Sequence, residues 1–535
     1  DVEKEIKVPN EVKKEQTPLI ELGGINKYKA PMKDDKSGKT IFVKSFKIEN
    51  AVHISNEKIL DLISSYTNKD LTFNQLQEVT SIITKEYRNQ GYFVARAYLP
   101  VQNINKNNGV IIIAIIEGNY GEFKLENNSL VKDTIVQAML DDAKRDNVIS
   151  TNTLERAMLI INETAGVVVT KADVMPGSEV GTSDFDIQTQ ASNRVDGYVV
   201  ADNTGSRYTG KNRLMAGLNI NSPFDIGDKI ALSGLVSNAS NLKNGRVGYE
   251  VPLTANGLKG ELSYSQTNYS LTEEYKELDA KGTSKTVEAS LKYPIIKTRA
   301  QNLYASLNVY LKDLEDKVNS TNDITKKDSK SLRLALDYDK NYQAFNKNTS
   351  SNVSLSLTTG KLNFNDDNKK TADEAGANTN GNYSKVNLDL SNTIYLTQKL
   401  SLESSIALQY ALGNKNLDGS EDFSVGGASG VKLYPSGELS AENGYLFNIE
   451  AKYRLPNLNK LSNTVGIFYD RGKAFMANNT TGFEAKSLQD VGVGYYASYN
   501  NFFSKLQVAW NANSADVTSE DNRNSRVLFQ GGMSF

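Results

Sequence analysis

The sequence predicts a mainly β protein: a 16-stranded antiparallel transmembrane β-barrel preceded by two small β-α-α-β-β modules. Three observations lead there. From about residue 196 onward, apolar and polar residues alternate with a period of two in segment after segment. The connections between those segments alternate in length, short then long, as they do in outer-membrane barrels. The chain closes on Val527-Leu528-Phe529-Gln530-Gly531-Gly532-Met533-Ser534-Phe535, an alternating strand in which Val527, Phe529, Met533 and Phe535 share one face. An apolar face at a free terminus seldom has a core to meet, and lipid is its expected partner.

Composition narrows the function. The 535 residues carry 61 Lys+Arg against 63 Asp+Glu, so the net charge of -2 gives no electrostatic case for nucleic acid. Cysteine is absent, which removes disulfides, thiolate metal sites and cysteine nucleophiles, and suits a chain that crosses an oxidising compartment unfolded. The single histidine, His53, is read as a surface or turn residue; a His-based metal centre or a Ser-His-Asp triad has nothing else to build on. No catalytic residue, metal site or cofactor is expected. The longest apolar run, residues 110–116, is far short of the roughly 20 residues of a spanning helix. The first residues lack an apolar signal core, so for an exported protein the numbering is expected to start at the mature end.

In order along the chain, residues 1–40 are charged and carry Pro9, Pro18, Pro31 and Gly23-Gly24; they read as a linker with one short helix near residues 11–16. The first module, 41–119, opens with a strand over 41–48. Leu76, Val79, Ile83 and Tyr87 then recur at helical spacing, with Thr72 as N-cap and Gly91 as the stop. Strands follow at 92–99, closed by Pro100, and at 110–116. The second module, 120–192, repeats the order, with a strand near 122–125, helices near 131–142 and 151–162, and strands at 167–174 and 184–189. In the barrel, 193–535, sixteen candidate strands start near residues 195, 212, 228, 245, 258, 285, 302, 330, 352, 383, 400, 444, 463, 488, 502 and 526. Leu307, Val309 and Leu311 alternate with Asn308, Tyr310 and Lys312, and Leu332, Leu334 and Leu336 with Arg333, Ala335 and Asp337. Charges on the second face imply a wet lumen. Short connections (222–225, 396–399, 456–459) alternate with long polar ones (271–283, 313–329, 362–382, 412–442, 472–487), of which 362–382 is expected to be solvated and without a site.

Several runs carry a family resemblance. Residues 86–100, from Glu86-Tyr87-Arg88 through Gly91-Tyr92-Phe93-Val94-Ala95-Arg96 to Leu99-Pro100, and the later Glu117-Gly118, are similar to the first POTRA module of the outer-membrane transporters of two-partner secretion, relatives of the barrel-assembly insertases. Asn162, Gly166, Pro176-Gly177 and Gly181-Thr182-Ser183-Asp184 resemble the second module, and residues 202–210 resemble the family's first barrel hairpin, the most specific piece. The resemblance covers nearly all of 42–535.

The resemblance implies a sixth surface loop, 412–442, folded back into the pore. Its tip is Val431-Lys432-Leu433-Tyr434-Pro435, preceded by Gly426-Gly427, where the family carries Val-Arg-Gly-Tyr/Phe. It also implies that Lys432 pairs with Asp470 of Phe468-Tyr469-Asp470-Arg471-Gly472 on the barrel wall. Lysine lacks arginine's planar fork and Leu433 replaces a glycine, so a looser tip is expected. Residues 1–40 hold no match to the family's plug helix. Client binding is expected at the module edges, with Tyr92, Val94, Arg96 and Tyr98 on one and Val167 and Val169 on the other, by strand addition; for Tyr92 core packing competes with that role. Phe529, Met533 and Phe535 are expected to signal to the barrel-assembly machinery.

The function implied is capture of an unfolded exoprotein by periplasmic POTRA modules and its passage through an outer-membrane channel without nucleotide hydrolysis. No G-x-x-x-x-G-K-[ST] phosphate loop is present in the sequence. The alternatives are a barrel insertase of the same architecture, a general porin, against which the two modules argue, and a soluble carboxylate-pair enzyme, to which no motif points.

Overall fold

The computed structural model describes residues 38–102, 108–480 and 482–535. The helix expected near 11–16, with the linker up to residue 37, lies outside the described residues. The first module contains β1 (Thr40–Val43), β2 (Ser45–Glu49), α1 (Asn56–Leu62), β3 (Lys69–Thr72), α2 (Phe73–Asn89), β4 (Arg96–Tyr98) and β5 (Val110–Ile116). Its sheet runs β2-β5-β4, and the central position of β5 accounts for the unbroken apolar run of its sequence. Ile111, Ile113 and Ile115 pack with Leu76, Val79, Ile83 and Tyr87 of α2 in one buried core. Helix α2 starts where Thr72 caps it: the Gln75 N–H donates to the Thr72 hydroxyl at 3.2 Å, and the Thr72 N–H donates to the Gln75 side chain at 2.9 Å.

Two expectations fail here. The strand expected over 41–48 is two strands, because β1 leaves the sheet to pair with β3 in a separate ribbon; β3 is too short and polar to announce itself by alternation. The strand expected over 92–99 shrinks to β4, because residues 92–95 form a turn, with the Ala95 N–H donating to the Tyr92 carbonyl at 3.0 Å. The second module comprises β6 (Asn119–Asn128), α3 (Asp133–Asp141), α4 (Thr151–Asn162), β7 (Val168–Pro176) and β8 (Thr182–Gln190), in the order β6-β8-β7. In both modules the last strand lies between the first, parallel to it, and a free antiparallel edge strand.

The barrel strands are β9 (Val195–Asp202), β10 (Arg213–Asn221), β11 (Lys229–Ser237), β12 (Leu242–Pro252), β13 (Lys259–Ser270), β14 (Ala280–Lys297), β15 (Gln301–Val318), β16 (Asp323–Ala344), β17 (Lys347–Phe364), then, after helix α5 (Asp367–Ala375), β18 (Gly381–Tyr395) and β19 (Leu400–Ala411). The loop that follows holds a two-rung hairpin, β20 (Phe423–Ser424) with β21 (Ser440–Ala441); β22 (Asn443–Arg454), β23 (Ser462–Phe475), β24 (Ser487–Tyr499), β25 (Phe502–Asn511) and β26 (Ser525–Ser534) complete a closed sixteen-stranded barrel. Register explains the outer surface. Leu307, Leu334, Leu357 and Val386 stand side by side on neighbouring strands, as do Ala305, Leu336, Leu355, Leu388 and Leu408, so the period-two pattern becomes a continuous apolar belt. The charged partners of the alternation point inward.

Strands β14 to β17 run well past the belt. Residues 313–329, expected as a long loop, are therefore a paired ribbon closed by a turn at 319–322: the Thr, Lys, Asp and Ser side chains end the apolar belt without ending the backbone ladder. Residues 362–382, expected to be merely solvated, contain α5, capped by the Asp366 carboxylate, which accepts the Lys369 N–H at 2.9 Å.

The seam between β26 and β9 is short, Gln530–Ser534 against Tyr198–Asp202. Two devices lengthen it. Phe535 and Gly197 exchange backbone hydrogen bonds at 2.9 and 3.0 Å. At the other end the Asn203 side chain accepts the Phe529 N–H at 2.8 Å and donates to the Val527 carbonyl at 3.2 Å. Gly197 must lack a side chain here, since a Cβ would fall 2.7 Å from the Phe535 ring. The second module is seated on the short-turn end of the barrel. Arg156 of α4 donates to the Pro294 carbonyl at 2.5 Å and the Asn256 carbonyl at 3.1 Å. Glu163, just past α4, pairs with Lys297, whose ammonium also reaches the Tyr304 hydroxyl at 2.6 Å.

Candidate functional site

The loop between β19 and β22, residues 412–442, descends into the lumen and forms its own buried cluster there. Val425, Val431, Leu433, Tyr434 and Leu439 pack against Leu446, Phe468, Leu488 and Ala509 of the wall. The β20–β21 hairpin is its stem, and Gly427, at φ 99°, turns the chain so that its N–H donates to the Tyr434 carbonyl at 2.9 Å. Gly426 and Gly472 leave no room for a side chain against Pro435 and Val425.

The structure brings Lys432 and Asp470 together: the Lys432 Nζ donates to Asp470 Oδ2 at 2.7 Å, and it lies 4.4 Å from the centre of the Phe468 ring. Asp470 Oδ1 accepts from Asn448 Nδ2 at 2.6 Å. Two separate donors thus serve the two carboxylate oxygens that one guanidinium fork would serve. The expectation of a loose tip does not hold. Leu433, in the glycine position, puts its side chain into the buried cluster while its N–H donates to Asp490 Oδ2 at 2.6 Å. The Tyr434 hydroxyl donates to the Ala515 carbonyl at 2.5 Å, and Arg526 of β26 donates to the Tyr434 carbonyl at 2.8 Å. Pro435 is buried at the end of the tip and its carbonyl accepts the Glu438 N–H at 3.1 Å.

Sequence reasoning missed Asp490, Asn448 and Arg526. Their one signal is a polar residue on an inward-facing position, which most barrel strands share. It also missed a second attachment. Farther round the wall, Glu421 accepts from Lys312 of β15 at 3.0 Å and from Lys385 of β18 at 2.7 Å. Asp418 pairs with Lys327 of β16. Beside the loop remains a cavity of about 460 Å³ lined by Asp337, Asp389, Ser354, Ser391, Ser405 and Asn448.

The module-edge residues divide. Arg96 and Tyr98 are exposed on edge strand β4. Tyr92 packs on the first core and Val94 on the second, so both lie between modules and off the edge. Val167, just before β7, and Val169 are buried in the second core, so neither side chain is presented on the outside of edge strand β7. Phe529 and Phe535 face outward from β26; Met533 shares their face and pairs with Val199 across the seam. Among the described residues no group of three or more His, Cys, Asp or Glu side chains could hold a metal ion.

Comparison with known proteins adds the following. The family model for haemolysin secretion/activation protein ShlB/FhaC/HecB matches residues 181–496, and that for the POTRA domain, ShlB-type, matches residues 41–118. The heme/hemopexin transporter protein HuxB of Haemophilus influenzae (strain 86-028NP) is 28% identical over 451 residues, spanning 83% of this chain and 78% of that protein. In fold the chain is similar to CdiB from Escherichia coli, with a TM-score of 0.78 over 96% of this chain and 94% of that one at 18% identity. It is also similar to BamA from Haemophilus ducreyi lacking POTRA domains 1-3, with a TM-score of 0.54 at 14% identity over 92% of this chain and 100% of that one.

Proposed function

The chain belongs to the haemolysin secretion/activation protein family, the outer-membrane transporters of two-partner secretion, and on that premise we propose that it captures an unfolded exoprotein and passes it to the cell surface through the barrel. The barrel lies in the outer membrane, with the POTRA modules on its periplasmic side. The observation that carries the reading is the loop 412–442, which lies inside the lumen and is tied to two separate stretches of the wall through Lys432–Asp470 and Glu421–Lys312/Lys385. A loop held across a lumen by ion pairs can serve as a gate, since ion pairs are exchanged at little cost when a charged, hydrogen-bonding chain takes their place.

The client is received first at the periplasmic edges. An extended segment adds to β4 beside Arg96 and Tyr98, or to β7, through main-chain hydrogen bonds that tolerate any sequence. Tyr92, Val94, Val167 and Val169 support this by holding the modules in shape. The second module, seated on the barrel through Arg156 and Glu163, hands the segment to the lumen. No nucleotide is hydrolysed; folding outside the cell drives the passage. During its own biogenesis the chain is delivered to lipid by the barrel-assembly machinery, which reads Phe529, Met533 and Phe535. The test is to deplete the protein in its native cell and quantify the secreted and outer-membrane proteomes. Loss of one large exoprotein with other barrels unchanged is the expected result. Broad loss of barrels would overturn the reading in favour of an insertase, whose fold is shared.

A further inference from the structure

The two attachments of the pore loop have opposite polarity. At the tip the loop supplies the cation and the wall the carboxylate. At the other attachment the wall supplies three cations, Lys312, Lys327 and Lys385, and the loop supplies Asp418 and Glu421. The three ammonium groups come from three different strands and are largely enclosed, with side chains 16%, 14% and 12% exposed. Glu421, at the end of the 3-10 turn Gly419–Glu421, also places its carbonyl on Lys385 Nζ at 2.9 Å and on Gln409 Nε2 at 2.8 Å, so the lysine site takes a backbone carbonyl as well as a carboxylate. Nearer the periplasm the same wall turns acidic, with Asp337, Asp339 and Asp389 facing inward below Arg333.

We infer that Lys312, Lys327 and Lys385 form a carboxylate-binding station for the translocating chain, occupied at rest by Asp418 and Glu421 as an internal substitute and taken over by acidic segments of the client when the loop withdraws. This rests on the channel reading above. When the loop leaves, Lys312, Lys327 and Lys385 lose the carboxylates of Asp418 and Glu421, and losing a largely enclosed ion pair is costly. An extended client segment bearing Asp or Glu restores both the ion pairs and the carbonyl acceptor. Its exit returns the station to the loop, which gives the gate a reason to close again.

The probe is hexaglutamate, applied to the purified full chain in neutral phosphatidylcholine bilayers while ion current is recorded, with hexaglutamine and hexalysine as controls. Emptying the station with Asp418→Asn/Glu421→Gln is expected to let hexaglutamate block at about a tenfold lower concentration, the worth of one good charged contact. Lys312→Gln/Lys327→Gln/Lys385→Gln is expected to abolish that block and shift selectivity toward cations. If the triple variant fails to assemble, Lys385→Gln alone, which removes two contacts to Glu421, is expected to weaken the block several-fold. Open channels blocked equally by hexaglutamate and hexaglutamine, or blocked regardless of the lysines, would refute the station and leave the channel reading intact. A barrel that conducts in none of these variants would refute both.

Discussion

Removing Lys432 isolates the tip attachment. Asp470 and Asp490 occupy facing positions on β23 and β24, both carboxylates are fully enclosed, and Lys432 is the cation that the loop tip brings to Asp470. Stripping one partner from a buried pair costs about 3–5 kcal/mol, because the other charge stays behind uncompensated. At about 1.4 kcal/mol per tenfold, Lys432→Ala shifts the ratio of released to seated loop by between about 100-fold and several thousand-fold. A double replacement, Lys432→Met with Asp470→Asn, removes both charges while keeping shape and the Asn448 contact, and is expected to recover most of that loss. The chain has no cysteine, so Val431→Cys in each background is its single thiol, a conservative change at a residue enclosed while the loop is seated. Its rate of labelling by a membrane-impermeant maleimide on intact cells then reports the released population. The expected order is Lys432→Ala far above the double variant, with the parent lowest. A Lys432→Ala rate within about twofold of the parent would mean that packing and Arg526 hold the tip without the ion pair, and the electrostatic reasoning would fail.

Two other perturbations test separate parts of the molecule. Arg213 reaches the buried Asp202 through Nε at 2.9 Å and Nη2 at 3.1 Å, and Thr204 through Nη2 at 2.7 Å, beside the barrel seam; Arg213→Ala is expected to cost about 3–5 kcal/mol and lower the temperature at which the folded barrel loses its fast mobility in denaturing gels, with Arg213→Lys recovering part. In the first module, burial pushes the Glu117 carboxyl up, but the backbone and ring N–H of His53, the Val52 N–H and the Tyr87 hydroxyl outweigh it and hold the group below the usual carboxylate range. A depressed folded value means a stabilisation present at neutral pH and lost as pH falls through that value; hydrogen exchange of the β5 amides in the full chain should show Glu117→Gln less protected than the parent at pH 7, with the gap closing in acid. A gap that persists or widens in acid would contradict this.

Much of the architecture was legible in the sequence because strands in lipid have few options. Backbone groups must pair within the barrel, so one face of each strand must be apolar, and Leu334, Leu336, Val309 and Leu311 could only point outward. That constraint also separates the barrel from the modules, where Leu76, Val79, Ile83 and Tyr87 switch to the helical period. It fails where the constraint lapses: residues 313–329 are mostly polar and lose the alternation yet remain paired, and 92–95 turn although they are apolar. The pairing of Lys432 with Asp470 came from family resemblance, not from spacing. What only the tertiary structure decided is which of the many inward polar residues the loop meets. Lys312 and Glu421 are 109 residues apart, and Arg526 and Tyr434 are 92 apart. On a wet barrel wall every strand offers Asn, Ser, Lys or Asp to the lumen, so the local pattern is the same at residues that touch the loop and at residues that do not. The choice among them is set by the path of the loop across the pore, a property of no single strand.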